Sequence, residues 1–268
     1  MPFRINRRRQ SLALIPSIIG GIAIIVMMQQ PRLHNLKQSA KTLDIETLKR
    51  ETELQRYRLN ILEKSPSLGF DNLLADWVFL SFLGYFGDDE ARKANGYALS
   101  LDYFDAIVEH DPRFLRMYLF LFVSGAAYAG MPEETVALME KGLKSMSHNV
   151  PETSYYAWRY KGFIELLYLG KPLEAQKSFE KAAEWASTYS DSTSKVVAQM
   201  SRRTAEFLAT NPDSKSAQIS SWLGILEEAV DTRTRENAIA NIKRLGGQVT
   251  ITPSGSVRVL LPPETESK

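Results

Sequence analysis

Small residues return along the middle of this chain at a nearly fixed interval: Ser100, Ala137 and Ala175 each stand shortly ahead of a chain-breaking signal. Two helices approach closely only where a side chain is small. A recurrence at roughly 34–40 residues therefore constrains the body to helix pairs stacked side by side. The sharpest unit is Ala175-x3-Phe179-x2-Ala182, which puts a small residue, an aromatic and a second small residue on one helical face. Ser100, Phe104 and Ile107 repeat those offsets, and Asp111-Pro112 closes the unit. In the middle unit Gly125-x2-Tyr128 precedes Ala137, but Lys141 and Lys144 stand where the aromatic and the second small residue belong. The third unit runs from Tyr156 to Tyr189, with Gly162 one position early.

These units resemble degenerate tetratricopeptide (TPR) repeats of membrane-anchored bacterial proteins. The resemblance implies an all-α solenoid of helical hairpins whose first helices line a concave groove. Carried onto this chain, the groove positions are Phe82 and Tyr85, then Leu119 and Phe122, then Ala157, Tyr160, Ile164 and Tyr168. An aromatic and aliphatic lining suits an amphipathic helix or an apolar peptide. Arg116 and Lys161 match the family's carboxylate clamp poorly. Folds of this kind bind partners and seldom catalyse.

The N-terminus is of another kind. No residue between Arg9 and Arg32 is charged, and Leu12 to Met28 is almost wholly apolar. A helix over residues 10–31 would rise roughly 30 Å, the hydrocarbon thickness of a bilayer. Pro16, Gly20 and Gly21 are tolerated in such a helix. A cleaved leader would end in a small-x-small site, whereas this run leaves through Val26-Met-Met-Gln-Gln-Pro31, so an uncleaved anchor is expected. Arg4, Arg7, Arg8 and Arg9 favour a cytoplasmic N-terminus and a body in the periplasm or lumen, an expectation that Arg32, Lys37 and Lys41 weaken. Ala13, Ser17 and Gly21 make a small-xxx-small ladder through which two anchors could pair as a weak homodimer.

Residues 32–66 read as a charged stalk helix with sparse apolar positions Leu36, Leu43, Leu54, Tyr57 and Ile61, ended by Ser65-Pro66. Leu68 to Gly87 is the most apolar stretch of the body, with Asp71 as expected N-cap and Gly87 as expected stop. It is similar to the segment that opens the soluble part of some anchored bacterial repeat proteins. Asp76 within it must lie at an exposed edge or pair with a buried donor. Further helices are expected over 193–209, 214–230 and 233–245. Alternating β-branched residues around Pro253-Ser-Gly255 then predict a β-hairpin over 247–262, which docks on the helices or borrows a partner's sheet edge. The domain plan is a basic flank (1–9), anchor (10–31), stalk (32–66), repeat body (67–246), hairpin (247–262) and tail (263–268).

Composition narrows the chemistry. The chain is 44% hydrophobic and 24% charged, as a folded protein is, and has no cysteine, which removes disulfides, thiolate metal sites and a cysteine nucleophile. Its net charge of +2 owes four positives to the first nine residues, so nothing in the body invites nucleic acid. His34, His110 and His148 are scattered without metal-ligand spacing. Ser124-Gly125 lacks the strand-turn-helix setting of a nucleophile elbow. Asp102, Asp105 and Glu109 read as a solvated helix face. No cofactor, metal or catalytic set is therefore expected, and the chain is read as no enzyme.

The expected function is a membrane-anchored scaffold or assembly factor for a membrane complex, photosynthetic or other bacterial. Its client would be an amphipathic helix or apolar peptide of a complex subunit, and residues 10–31 would contact lipid. The alternatives are a permanent structural subunit of an envelope or secretion machine and, last, an enzyme of unrecognised type.

Overall fold

The computed structural model describes residues 45–210, 214–251 and 257–261. The chain divides into two units, Met1–Leu48 and Lys49–Lys268, and the described residues belong almost entirely to the second. The expected anchor, its Ala13–Ser17–Gly21 ladder, the basic flank, the first part of the stalk and the tail lie outside the described residues. Among the described residues no helix is long and apolar enough to cross a membrane. They are mostly helical, with one two-stranded sheet.

Helix α1 (Ile45–Lys64) contains neither Gly nor Pro and stops at Ser65-Pro66. Helix α2 (Asp71–Phe86) is closed by Gly87, whose N–H donates to the Leu83 carbonyl at 3.0 Å. Asp71 is the first helical residue rather than the cap, which falls on Phe70. The Asp71 carboxyl still lies at the positive end of the helix. A hydrogen bond from Ser67, with a further one from His110, holds its pKa below the ordinary value.

Both helices pack on α4 (Ser100–His110), reached through the short α3 (Asp89–Asn95). Gln55 donates to the Tyr103 hydroxyl at 3.0 Å, and the His110 ring meets the Leu62 carbonyl at 2.8 Å, so α1 runs parallel to α4. His110 also lies 3.5 Å from Asp71, while Phe82 packs on Tyr103, so α2 runs antiparallel. Helices α1 and α2 are therefore antiparallel to each other, joined by the turn at 65–70. Ser100, Phe104 and Ile107 all face the core with no exposed surface.

Next come α5 (Leu115–Leu121), which passes directly into a π-helix (Phe122–Tyr128), and α6 (Pro132–Leu143). Here the expected register fails. Ala137 is exposed, and the buried face of α6 carries Thr135, Met139 and Gly142 at the small–large–small offsets. Helix α6 opens at Pro132, straight after the left-handed Gly130, so its first buried small position falls on Thr135 and an offset counted from Gly125 overshoots by two residues. Once corrected, Lys141 and Lys144 no longer interrupt the pattern. A Cβ on Gly125 would stand 2.5 Å from the Thr135 hydroxyl, which fixes these two helices face to face.

Helices α7 (Tyr155–Leu167), α8 (Pro172–Ala186) and α9 (Ser192–Leu208) pack consecutively. Ala175, Phe179 and Ala182 are fully buried, as the spacing predicts. Gly162 lies against the Phe179 ring. Helices α10 (Lys215–Glu228) and α11 (Thr232–Arg244) pair with each other, and α10 also reaches α7 and the π-helix. Strands β1 (Gln248–Ile251) and β2 (Val257–Leu260) pair antiparallel, and β1 docks on α11. Of the two roles foreseen for the hairpin, the structure shows the docked one.

The two registers for α6 separate experimentally. Gly142→Leu drives a side chain into the buried Tyr118 hydroxyl, which donates to Pro112 O at 2.7 Å, and should cost about 1–3 kcal/mol or more. Ala137→Leu, on the open face, should stay within about 0.5 kcal/mol. Denaturant midpoints of the two variants decide between them.

Candidate functional site

The expected groove residues do not form one open lining. Phe82 has no exposed surface and packs against Phe104 at 4.5 Å between ring centroids. Ala157 and Ile164 are likewise fully buried. Tyr85 is held below the surface by the Arg92 guanidinium, 3.7 Å from its ring centroid, and its hydroxyl accepts from the Leu99 N–H at 3.1 Å. Burial raises the Tyr85 pKa. Phe122 does stack on Tyr160, with centroids 6.0 Å apart, and lies 6.2 Å from Tyr168. Trp222 of α10, however, sits edge-on over Tyr168 at 5.1 Å and buries it, and that burial pushes the Tyr168 pKa up to about 12. Of the expected set only Leu119 is well exposed, at 43%.

The C-terminal helices cause this change. Gly96, Gly130 and Gly170 each turn the chain with φ between 62° and 65°. Each lies against the α10–α11 region: Gly96 against Asp231 and Arg233, Gly130 against Asn237 and Gly170 against Gln218. Thr234 adds a hydrogen bond to the Tyr128 carbonyl at 3.0 Å. The chain's own C-terminal pair thus crosses the turns and covers part of the expected trough.

Lys161, offered as half of a carboxylate clamp, is committed elsewhere. Its ammonium lies 2.5 Å from Glu165, 3.2 Å from Glu140 and 3.2 Å from the Ser178 hydroxyl, and Ser178 donates to the other Glu165 oxygen at 2.5 Å. Lys161 and Glu165 are both buried, so this network ties α6, α7 and α8 together from inside. Arg116 is exposed and stands apart from it.

Asp102 and Asp105 line an open cleft with Arg56 and Lys141, and Glu109 lies outside it. Lys141 bridges Asp105 at 2.9 Å and Glu109 at 3.0 Å, while Arg56 approaches Asp102 at 3.6 Å. Burial raises the Asp102 pKa against the pull of Arg56. These acids are answered by cations rather than aimed at a metal. Among the described residues no cluster of three or more His, Asp or Glu could hold one. His148 contributes its backbone carbonyl, accepting from Tyr189 at 3.0 Å, and the Ser124 hydroxyl donates from the π-helix back to Phe120 O of α5 at 2.8 Å. His34 lies outside the described residues.

The surface that asks for an occupant is elsewhere, on α1 and α2. Leu54, Tyr57 and Ile61 stand out from α1, and Phe70, Leu73, Trp77 and Leu80 from α2 and its approach. Leu68, at the turn, is 85% exposed and adopts φ 51°, a left-handed conformation that costs a leucine roughly 1–2 kcal/mol. The aromatics Tyr57, Phe70 and Trp77 are 66, 66 and 55% exposed. At roughly 150–250 Å² per aromatic they alone leave about 300–450 Å² of ring uncovered. The aliphatic residues Leu54, Ile61, Leu73 and Leu80 add to that exposed apolar area. An open cleft of about 590 Å³ at the turn, floored by Leu62 and Leu74, joins the two helices. Asp76 lies exposed beside Trp77, the edge position foreseen for it.

This face was missed because α2 is apolar on nearly every side, so hydrophobicity alone does not say which side is buried. Spacing carries the signal: Ala75, Val78 and Phe82 form one stripe, and Phe70, Leu73, Trp77 and Leu80 form another opposite it. Compared with family models, with curated proteins and with solved structures, the chain shows no significant match.

Lys161→Met should cost about 3–5 kcal/mol, because it leaves the Glu165 carboxylate buried without a countercharge. Lys161→Met with Glu165→Leu should recover most of that loss. Urea unfolding of the two variants measures the difference.

Proposed function

We propose that this chain is a single-pass membrane-anchored scaffold with a TPR-like helical-hairpin body, working as an assembly factor for a bacterial membrane complex, photosynthetic or other. The observation that carries the reading is the apolar face of α1 and α2. Large apolar side chains left exposed on a folded body are costly in water, and association with another chain relieves that cost. An amphipathic helix or apolar peptide of a complex subunit supplies the matching chemistry. The charge-free stretch at 10–31 supports an anchor, which would confine the body to a surface and raise its effective concentration near membrane clients. The basic residues before it support a cytoplasmic N-terminus with the body on the opposite side.

The fully paired ionisable groups fit a binding role. Lys141 with Asp105 and Glu109, and Lys161 with Glu165, are charges satisfied within the fold rather than poised for proton transfer.

A photo-reactive amino acid at Leu73 should cross-link the full chain to one reproducible protein band in native membranes, and one at exposed Lys195 should not. Leu80→Glu in the same chain should abolish the band while helix content is unchanged. Equal cross-linking from both positions would overturn the reading. Protease added to intact inverted vesicles should trim residues 1–9 and spare the body; digestion of the body there would reverse the topology.

A further inference from the structure

We propose that His110 is a pH-sensitive clasp: with both ring nitrogens protonated it holds the last turn of α1 and the first turn of α2 together on α4, and the neutral ring lets them loosen.

The contacts decide which form of the ring fits. His110 ends α4, its side chain is 6% exposed, and its Nε2 lies 2.8 Å from the Leu62 carbonyl. A carbonyl oxygen only accepts, so Nε2 carries a hydrogen. In a neutral ring Nδ1 then has a lone pair and no hydrogen. That lone pair faces the Asp71 carboxylate at 3.5 Å, which is also an acceptor. Hydrogen bonds from Ser67 and then from His110 hold the Asp71 pKa below the ordinary value, so this carboxylate stays ionised through mildly acidic pH. The neutral ring thus has one satisfied contact and one repulsive one. The imidazolium satisfies both.

The surroundings favour positive charge. Leu62 lies in the last turn of α1, the negative end of that helix, and Asp71 opens α2. Beside the ring, at the turn that joins the two helices, is an open cleft of about 490 Å³. The charged groups around it are Glu63 and Lys64 from α1, Asp71 from α2 and Glu109 from α4, three carboxylates to one ammonium. Glu109 is also bridged by Lys141 at 3.0 Å, and Asp111 accepts from the Arg113 N–H at 3.0 Å. Burial of the ring opposes its charge, and the open, polar cleft limits that cost. At the other end of the same helices the contacts are of a different kind: Gln55 donates to the Tyr103 hydroxyl, and Phe82 packs on Phe104. Arg56 with Asp102 makes the other charged contact between α1 and α4.

The second ring proton gains two partners in the folded chain that the unfolded chain does not offer. The clasp is therefore closed while the ring is charged and is lost as pH rises through its titration, between about pH 5 and 8, where histidine changes charge.

The test is amide hydrogen exchange of the full chain in phosphatidylcholine vesicles at about pH 5.5 and about pH 8, on either side of that change. Each rate is divided by that of unstructured peptide at the same pH. Protection of α1 and α2 should be about five- to tenfold higher at the lower pH. Protection of α8, which the ring does not touch, should be equal at both. His110→Gln keeps a donor toward Leu62 but takes no charge, and should abolish the difference. Asp71→Asn keeps the shape of the acceptor without its charge, and should cut the difference by at least about half. Both variants leave Arg56 and Asp102 in place, so they isolate the ring. Loss of α8 protection in His110→Gln would mark a damaged fold, and Asp71→Asn then decides alone. Wild-type α1 and α2 equally protected at both pH values, or an intact variant that keeps the full difference, overturns the proposal.

Discussion

The fold depends on backbones brought close together at positions where no larger side chain fits. Gly125 meets Thr135, Gly142 meets Tyr118 and Gly162 meets Phe179, with a Cβ at the first or last left about 2.5 or 3.0 Å of clearance. Interiors packed at crystal-like density have no slack to absorb an added methyl group at such contacts. From them follow the burial of Thr135, Met139, Ala175, Phe179 and Ala182, and hence the way each helix faces its neighbour. The Lys161–Glu165–Ser178 network sits at the centre of that packing. Buried charges are affordable there only because each has a partner.

The same packing decides which surfaces remain for other molecules. The left-handed turns at Gly96, Gly130 and Gly170 present backbone without side chains, so Asp231, Asn237 and Gln218 can come close. With those contacts made, Trp222 closes over Tyr168 and removes it from the expected groove. The α1–α2 hairpin lies at the opposite end of the order of packing, with one stripe of each helix on α4 and the other uncovered. Leu59 of α1, together with Ala75, Val78 and Phe82 of α2, is buried, and their opposite faces hold Tyr57, Trp77 and the adjoining leucines.

Local chemistry was legible in the sequence; side-chain destinations across the fold were not. Ser65-Pro66, Gly87, Asp111-Pro112 and Gly246-Gly247 each mark a boundary within a few residues of where a helix ends, because breakers act on the backbone they belong to. The terminal hairpin followed from alternation, with Gln248 opposite Leu260 and Ile251 opposite Val257. The register of α6 was not legible because it is set by the helix start at Pro132 and by the meeting of Gly125 with Thr135, neither of which a fixed offset from Gly125 conveys. The groove set failed for another reason: Phe82, Ile164 and Tyr168 have the residue types of a binding surface and of a core alike, and only the position of α10 and α4 tells them apart. Leu119, Phe122 and Tyr160 keep some surface because nothing from the C-terminal pair reaches them as fully.

The central claim is that this molecule meets other chains through the outer sides of α1 and α2 and not through the groove expected from its repeats. Thiol accessibility tests it directly in a chain that has no cysteine of its own. With a single cysteine at position 77 or at position 160, maleimide labelling is timed in native membranes and again after dilution into dissociating detergent. The account predicts that position 77 is shielded in the membrane and becomes reactive on dissociation, while position 160 reacts at the same rate in both. Shielding confined to position 160, with 77 equally reactive throughout, would contradict it.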